Sequence, residues 1–532
     1  MINTNTSTFA IFSFFSALVF SISCAGSNLP SHQAFTHCME SHSDPSSPIS
    51  AILYTRNSSS YSAVLQNYIR NLRFNDSTTP KPQLILTPLH VSHIQAAILC
   101  AKTHGLQMKI RSGGHDYEGI SYWSDNPNFF VLDMFNFRSV NVSIEDESAW
   151  VEAGATLGEV YYRIFEKSNT HGFPAGVCPT VGVGGHISGG GYGNMVRKYG
   201  LSVDNVVGAR VIDVNGQILD RESMGRDLFW AINGGGGASF GVILSYKIKL
   251  VPVPPKVTVF RVPRTYDGNF KNLVYRYQQV AADSLPDELF LRLNLDVVNG
   301  TNRATFIAMF LGNSLELLSV MNREFPELAL KQTDCVQMSW VESVLFWTNF
   351  PTGTPVNALL SRVPQTLNHL KRKSDYLKRP IHKQGLELIF KKMVELQSPI
   401  LVFNPYGGKM AEISASEKPF PHRAGNIAKL QYAINWNENG EEAEKRFLSL
   451  IRELHSYMTP YVSMFPREAF LNYRDLDIGI NNHGKNSSLE GAVYGLEYFK
   501  ANYKRLVRIK TKVDPRNFFR NEQSVPVFPW KK

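Results

Sequence analysis

The chain has 532 residues, of which 43% are hydrophobic and 19% are charged, the proportions of an ordinary folded protein. This length exceeds what one small core can organise, so two or more large lobes are expected. Lys and Arg outnumber Asp and Glu by 55 to 45, but the excess forms no dense basic run and accompanies no motif that reads nucleic acid. We therefore expect no nucleic-acid partner, and only loose attraction to an acidic matrix or substrate.

Residues 1–26 are predicted to be a signal peptide. The apolar stretch 8–22 is too short to span a bilayer, and small residues follow it at 23–26. No later apolar stretch is long enough for a membrane helix. Beyond the predicted signal peptide, five sequons predict glycosylation, at Asn57, Asn75, Asn141, Asn299 and Asn486. The expected product is a secreted glycoprotein.

Cysteines follow at Cys38, Cys100, Cys178 and Cys335, too few for a disulfide scaffold. Cys100 lies on a helix predicted over residues 91–103 and points away from the apolar face of that helix. This position makes Cys100 a good candidate to tether the N-terminal segment through Cys38. Cys178 then remains as the cysteine available for a chemical role, and Cys335 is expected to be a buried thiol.

The segment after residues 78–82 alternates strands and helices. Strands are predicted at 84–87, 107–111, 129–132 and 149–152. The helix 91–103 lies between the first two, and the second strand ends in a glycine-rich loop. Strand–helix–strand order with a ligand loop at the end of a strand predicts an α/β crossover in the first lobe, residues 27–255.

The second lobe, residues 256–470, has a different pattern. Leu291, Leu293 and Leu295 alternate with polar residues, as in a strand with one buried face. Residues 304–311 are expected to pair with this strand across the turn at 299–300, and 430–436 form a further strand. An antiparallel sheet with helices on one side is therefore predicted, which makes the whole chain α+β.

Two glycine-rich segments each carry one nucleophilic side chain: His115 in residues 111–117, and Cys178 at the start of residues 178–193. Glycine permits positive φ and close backbone approach to a ligand, and it leaves amide N–H groups free to hold phosphate. Neither segment contains the pattern Gly-X-Gly-X-X-Gly, which disfavours a nicotinamide site. The two segments predict a dinucleotide held at two points.

A metal site is not expected. His171 and His186 could be combined with Cys178, but their spacing fits no common zinc pattern. His186 is interpreted as a structural residue or a cofactor contact.

At His115 and Cys178, with their flanking residues, the chain resembles the berberine-bridge-enzyme-like family of plant FAD-linked oxidases. The resemblance runs from about Cys38 to Pro526 and includes the C-terminal sequence 513–524. It implies an FAD-binding domain of the PCMH or vanillyl-alcohol-oxidase type over 27–255. A substrate domain over 256–470 and a C-terminal segment, 471–532, that returns to the FAD domain are implied as well.

The resemblance implies FAD bonded covalently to both His115 and Cys178. Further cofactor-binding positions are implied at Arg111, Ser112, Gly113, Gly114, Thr180, Gly182, Gly184, Gly185, Gly189, Asn194, Val242 and Asn517.

The strand 430–436 extends the alternation to Lys429 and Gln431, which share the face opposite Leu430. In alcohol-oxidising members of the family, a Lys-X-Gln pair and three tyrosines line the face of the flavin. Here the tyrosines are Tyr117, Tyr192 and Tyr473.

The resemblance implies that Tyr473 is the general base and that the ammonium of Lys429 lowers its pKa. Tyr117, Tyr192 and Gln431 are expected to orient the substrate hydroxyl.

The implied activity is oxidation of an alcohol or a sugar lactol, from an oligosaccharide or a phenylpropanoid alcohol. Val181, three residues after Cys178, stands where the family controls access of dioxygen. A small residue there accompanies oxidases, so hydrogen peroxide is the expected product. The protein is expected to be a monomer, extracellular or in the cell wall, with the vacuole as an alternative.

Two other functions stay open. One is oxidative ring closure of an alkaloid or related metabolite, although those family members tend to carry an acid on the strand that here holds Lys429 and Gln431. The other is a flavin-loaded carbohydrate-binding protein with little turnover.

Overall fold

The computed structural model describes residues 31–43 and 46–529. The predicted signal peptide lies outside these residues. Among the described residues, none of the helices combines the length and apolar character needed to cross a bilayer.

The N-terminal part forms a small sheet covered by helices. Its elements are α1 (Ser31–His42), β1 (Leu53–Thr55), α2 (Tyr61–Gln66), β2 (Leu84–Leu86), α3 (Val91–His104), β3 (Gln107–Arg111) and β4 (Phe129–Asp133). The strand order is β1-β2-β4-β3, and β4 runs parallel to both β2 and β3. The strands β2 and β4 are wholly buried, as expected of parallel strands with both faces covered. The predicted strand–helix–strand crossover is present, and β3 leads directly into the first glycine-rich segment.

A disulfide joins Cys38 on α1 to Cys100 on α3, with 5.8 Å between their Cα atoms, as predicted. The interpretation that Cys100 lies off the packed face is wrong, because the side chain is wholly buried. Helix α3 is covered on both sides, by the sheet and by α1, so the side turned away from the sheet is also core.

Cys335 is only half-buried, contrary to the expectation of a buried thiol.

A second sheet follows, with strand order β5-β6-β10-β8-β9 and antiparallel pairing. The elements are β5 (Val140–Ser143), β6 (Ser148–Glu152), α4 (Leu157–Phe165), β7 (His171–Gly172), α5 (Val183–Ser188), α6 (Val196–Tyr199), β8 (Val206–Ile212), β9 (Ile218–Leu219), α7 (Gly225–Ile232), β10 (Val242–Lys249) and β11 (Val251–Pro252). Helix α4 starts at a capping box in which Thr156 and Glu159 satisfy each other's backbone N–H groups. The second glycine-rich segment begins at Cys178 and includes helix α5.

The middle of the chain forms one antiparallel sheet with the order β15-β12-β14-β13-β17-β18-β16. The elements are β12 (Val257–Thr265), α8 (Phe270–Val280), β13 (Leu289–Val298), β14 (Thr301–Phe310), α9 (Ser314–Glu324), β15 (Val336–Met338), α10 (Trp340–Trp347), β16 (His369–Leu377), α11 (Lys383–Leu396), β17 (Ile400–Pro405), α12 (Lys409–Glu412), β18 (Ala428–Trp436) and α13 (Glu441–Tyr457). The predicted hairpin across Asn299 and Gly300 is present as β13 and β14.

The two faces of this sheet have different partners. One face, with Leu291, Leu293 and Leu430, packs on α8, α9, α11 and α13, the helical layer that the sequence predicted on one side. The opposite face, with Phe290 and Met309, belongs to the hydrophobic core shared with the first domain. A cleft between the sheet and the glycine-rich segments follows from this arrangement.

The last elements are α14 (Ser487–Phe499) and α15 (Tyr503–Val513). The chain beyond α15 packs on the first domain, where Glu522 accepts hydrogen bonds from the buried Lys109 at 2.7 Å. The amine of Lys510 donates to the carbonyl of Ser239 at 2.7 Å. The C-terminal segment therefore contacts both β3 and the loop that contains Ser239.

Candidate active site

A cavity of about 360 Å³ lies between the two glycine-rich segments, β18 and the segment 470–474. Most of the site residues expected from the sequence contribute to its wall. These are Ser112, Gly113, Gly114, His115, Tyr117, Cys178, Val181, Gly182, Gly184, Gly185, Gly189, Tyr192, Gln431 and Tyr473. Side chains that are far apart in the sequence thus meet around one space.

The two glycine-rich segments cross backbone against backbone. A Cβ atom built on Gly113 would lie 2.3 Å from the amide nitrogen of Gly182, and one on Gly182 would lie 2.2 Å from that of Gly113. Gly114 has φ +70, and a Cβ there would overlap the carbonyl oxygen of Tyr68. Only glycine fits this crossing, which brings the neighbouring nucleophiles to one cavity.

His115 and Cys178 face this cavity. The Nε2 atom of His115 lies 2.8 Å from the hydroxyl of Thr180. Burial, assisted by the charge of Arg70, lowers the pKa of His115 to about 3, so the imidazole is neutral at physiological pH. The Cys178 side chain is open to the cavity, while the surrounding protein raises the pKa of its thiol by desolvation.

Five of the expected cofactor positions stand outside the cavity wall: Arg111, Thr180, Asn194, Val242 and Asn517. The guanidinium of Arg111 is wholly buried, lies 2.6 Å from Asp133 and donates to the carbonyls of Leu65 and Val64. Arg111 therefore supports the first glycine-rich segment from behind, and Thr180 acts through its contact with His115.

Lys429 and Gln431 lie on the face of β18 opposite Leu430, as predicted. Gln431 lines the cavity, whereas Lys429 lies outside its wall. The Nζ atom of Lys429 is buried and has no hydrogen-bond partner among the described residues. It lies 3.7 Å from the ring centre of Tyr192, 3.9 Å from that of Phe470 and 4.2 Å from that of Tyr473. Desolvation, followed by the charge of Arg292, holds the pKa of Lys429 well below its ordinary value.

The pKa of Tyr473 is not lowered as expected. Burial raises it, and the charges that oppose this shift include those of Arg292 and Arg372. Desolvation also disfavours the charged form of Lys429, which weakens the stabilisation of a phenolate by its ammonium group.

The three tyrosines are held differently. The hydroxyl of Tyr192 donates to the carbonyl of Pro405 at 2.5 Å, so its proton is already used in a hydrogen bond within the protein. Tyr117 and Tyr473 pack with their ring centres 5.9 Å apart. The amide of Gln431 donates to the hydroxyl of Tyr117 at 3.4 Å, which places these two groups together at the cavity.

Sequence reasoning missed two arginines. Arg292 on β13 lines the cavity, and its guanidinium lies 5.1 Å from the ring centre of Trp347. Arg372 on β16 lies 5.6 Å from the ring centre of Tyr117. The alternation with Leu291 and Leu293 indicated that Arg292 leaves the apolar face, and this was the only available signal for it.

The structure offers one group of potential metal ligands among the described residues, formed by Cys38, His42 and Cys100. The two sulfur atoms are joined as a disulfide, which removes them as thiolate ligands. This group lies on α1 and α3, away from the cavity described above.

These features fit a site for a dinucleotide, and the comparisons give the class of protein, an FAD-dependent oxidoreductase. The family model described as an FAD binding domain matches residues 82–221, and the model described as berberine and berberine like matches residues 469–526. Berberine bridge enzyme-like 8 of Arabidopsis thaliana is 58% identical, over 97% of this chain and 98% of its own length. Berberine bridge enzyme-like 21 of the same plant is 54% identical over 97% of each chain.

Solved structures agree with the sequence relatives. Phl p 4, described as a grass pollen allergen with glucose dehydrogenase activity, superposes with a TM-score of 0.88 at 40% identity, covering 93% of this chain and 100% of its own. A variant of berberine bridge enzyme superposes with a TM-score of 0.88 at 37% identity and the same coverage. The chain belongs to the berberine bridge enzyme-like family, with its FAD-binding fold, and it is an FAD-dependent oxidoreductase.

The residues present fit FAD. Gly185 lines the cavity, and a Cβ atom built there would meet no protein atom within 4 Å, so this glycine leaves open space at the wall. Neighbouring Gly184 and Ser188 complete the edge of the second glycine-rich segment. The wall can thus approach a ligand closely, as a dinucleotide requires.

Gly185→Val is expected to weaken flavin binding by about 1–3 kcal/mol, the cost of forcing extra methyl groups into a filled site. The protein should still fold, since a Cβ atom at this position meets no protein atom within 4 Å. Flavin absorbance per mole of protein and the circular dichroism spectrum measure the two effects. Gly113→Val is the contrasting variant, which should disrupt the fold; full flavin content in Gly185→Val would contradict the assigned cradle.

Proposed function

We propose that this chain is a secreted FAD-dependent oxidase in which both His115 and Cys178 bond covalently to the flavin. Its substrate is an alcohol or a sugar lactol, and its electron acceptor is dioxygen, which becomes hydrogen peroxide. The observation that carries the proposal is the presence of both nucleophiles on the wall of one glycine-lined cavity.

The protonation of His115 suits covalent attachment. A neutral imidazole keeps a nucleophilic lone pair, and the lowered pKa of His115 maintains this form at neutral and mildly acidic pH. Since Thr180 occupies Nε2, the ring nitrogen left for the bond is Nδ1. At Cys178, the thiolate is favoured by the charges of Arg292 and Arg372, which oppose the effect of burial on its pKa.

Bound FAD supplies an acceptor for the hydride of the substrate carbon and a donor of electrons to dioxygen. Tyr473 accepts the proton of the substrate hydroxyl, because its side chain lines the cavity and its ring packs on that of Tyr117, which Gln431 contacts. Tyr117 and Gln431 orient the substrate through the hydrogen bond that they share. Tyr192 packs against Lys429 and shapes the pocket with its ring instead of its hydroxyl.

A sugar-like substrate is supported by two polar groups on the cavity wall, the amide of Gln431 and the guanidinium of Arg292, of which Arg292 also contacts an aromatic ring. A phenylpropanoid alcohol uses the same hydroxyl chemistry and is the alternative donor. Related structures point to sugars, since Phl p 4 is described as a glucose dehydrogenase. Ring closure is less well supported, because β18 carries Lys429 and Gln431 with no acid in the pair.

Val181 supports dioxygen as acceptor. It lines the cavity three residues after Cys178 and donates its backbone N–H to the carbonyl of that residue. Wild-type Phl p 4 is described as a glucose dehydrogenase, whereas a variant with one isoleucine replaced by valine is described as a glucose oxidase. In this chain, the residue three positions after Cys178 is a valine, Val181, in the natural sequence.

Secretion is supported by the disulfide and by the placement of the sequons. Disulfides persist in oxidising compartments, and Cys38–Cys100 is formed here. All five sequon asparagines are exposed: Asn57, Asn75, Asn141, Asn299 and Asn486. We propose an extracellular or wall-bound glycoprotein monomer.

Covalent attachment is tested by mass spectrometry of the native protein. Trypsin releases His115 within peptide 112–138 and Cys178 within peptide 168–197. The expected result is one yellow species in which FAD joins these two peptides. His115→Ala and Cys178→Ala should each keep one bond, and the double variant should release its flavin on acid precipitation. Both wild-type peptides at unmodified mass would contradict the proposal.

A further inference from the structure

A cluster of buried charges lies behind the cavity wall and takes no direct part in the proposed chemistry. The Nζ atom of Lys371 donates to the carboxylate of Glu118 and lies 2.7 Å from Oδ1 of Asp475. Lys373, two residues further along β16, lies 2.5 Å from the other oxygen of Asp475 and 2.9 Å from Asp477. The side chains of Lys371, Glu118 and Asp475 are 2–3% exposed.

The partners of Lys371 belong to the two loops that carry the cavity tyrosines. Glu118 directly follows Tyr117, and Asp475 stands two residues after Tyr473. One ammonium group therefore bridges a loop of the FAD domain and a loop of the C-terminal segment. The rings of Tyr117 and Tyr473, within two residues of these carboxylates, pack on each other.

Backbone contacts of β16 reinforce this bridge. Asn71 donates to the carbonyl of Tyr117 at 2.8 Å and to that of Leu370 at 3.1 Å, which fixes the first loop to the strand. The hydroxyl of Ser374 accepts from the backbone N–H of Phe470 at 2.9 Å, which fixes the start of the second. Strand β16 is at the end of its sheet, so its open edge is free to hold both loops.

The charges in the cluster depend on each other. Burial raises the pKa of Glu118, and Lys371 is the strongest opposing charge, followed by Arg73. Burial works against a charged Lys371 too, but the carboxylates of Glu118, Asp475 and Asp477 together raise its pKa above the ordinary value. Arg73 and Arg452 complete the cluster, at 3.4 Å from Glu118 and 2.7 Å from Asp477. Lys371 therefore stays charged and bound to both loops.

We propose that Lys371 is a positioning residue that sets the distance between Tyr117 and Tyr473, and thereby the alignment of the proton acceptor with the substrate. The inference rests on the proposed function, since Tyr473 is the proposed base. Misplacement of a reacting group by about 1 Å costs roughly 10²-fold in rate, so even a small movement of either loop is measurable.

Lys371→Met tests the proposal in the flavin-loaded enzyme with glucose and cellobiose as probe substrates. The expected result is a limiting rate of anaerobic flavin reduction that falls by about tenfold or more per bound flavin, with little change in the half-saturating substrate concentration. A role in stability alone would lower the yield of loaded enzyme and leave the rate per flavin unaltered. Lys445→Met, which removes an exposed partner of Glu441, is the matched control and should match the wild type.

Loss of one buried cation could impair folding, so a charge-balanced variant is needed. Lys371→Met combined with Glu118→Gln removes one charge of each sign and still breaks the bridge. This pair should fold, bind flavin and reduce it slowly. A wild-type rate per flavin in both Lys371 variants would overturn the positioning role alone, whereas a wild-type rate in Tyr473→Phe would contradict the proposed base.

Discussion

Tyr473→Phe should slow anaerobic reduction of the bound flavin by roughly 10²–10⁴-fold, the contribution of a positioned proton acceptor. The substitution keeps the ring packed against Phe470 and Lys429 and removes only the hydroxyl. Stopped-flow absorbance with excess substrate and no oxygen measures this rate. Tyr266→Phe, at an exposed position on the surface, is the matched control. An unchanged rate would exclude Tyr473 as the base.

The pH dependence of the wild-type enzyme follows from the same residue. A phenol accepts a proton only as phenolate, and burial raises the pKa of Tyr473 above its ordinary value. Below that pKa the phenolate fraction grows tenfold with each pH unit, so the rate of flavin reduction should rise with pH through the neutral and alkaline range. Tyr473→Phe should lose this slope, and a slope retained in the variant would assign it to another group.

Val181→Ile should slow reoxidation of the reduced flavin by dioxygen by roughly 10²-fold, which corresponds to about 2.7 kcal/mol in the barrier. The added methylene group would narrow the cavity next to Cys178, where a small diatomic molecule has to pass. Anaerobic reduction by substrate should stay within about twofold of the wild type, because the tyrosines and Gln431 are unaltered. The two half-reactions are measured separately by stopped-flow absorbance.

The matched control for this variant is Val177→Ile. Val177 also lines the cavity and directly precedes Cys178 in the sequence. The substitution Val177→Ile therefore adds the same methylene group to the cavity wall at a different position. Only the change at Val181 should convert the oxidase into an enzyme that needs another electron acceptor. Equal reoxidation rates in Val181→Ile and the wild type would contradict the assigned role in oxygen access.

Local sequence patterns predicted those strands and turns whose formation depends on only a few neighbouring residues. The alternation in residues 289–298 gave a strand, and Asn299-Gly300 gave the turn to its partner, because both signals lie within a few residues. The same alternation placed Lys429 and Gln431 on the cavity face of β18. His115 and Cys178 were found because glycine-rich backbone is costly unless it serves a ligand.

Tertiary packing decided the features that the sequence did not reveal. Cys100 is buried because α1 covers the second side of α3, and helix periodicity carries no information on that neighbour. The low pKa of Lys429 depends on burial among side chains from other segments and on the charge of Arg292, which lies on another strand. Lys371 gains its role from being on a strand that ends its sheet, which only the assembled topology determines.

The contact between Gly113 and Gly182 has a consequence for how the holoenzyme matures. Because the two backbones touch at these glycines, folding of the polypeptide itself orders both loops and loses their conformational entropy. If FAD forms the two proposed bonds, it would enter loops that are already ordered, and the second bond would form in a unimolecular step.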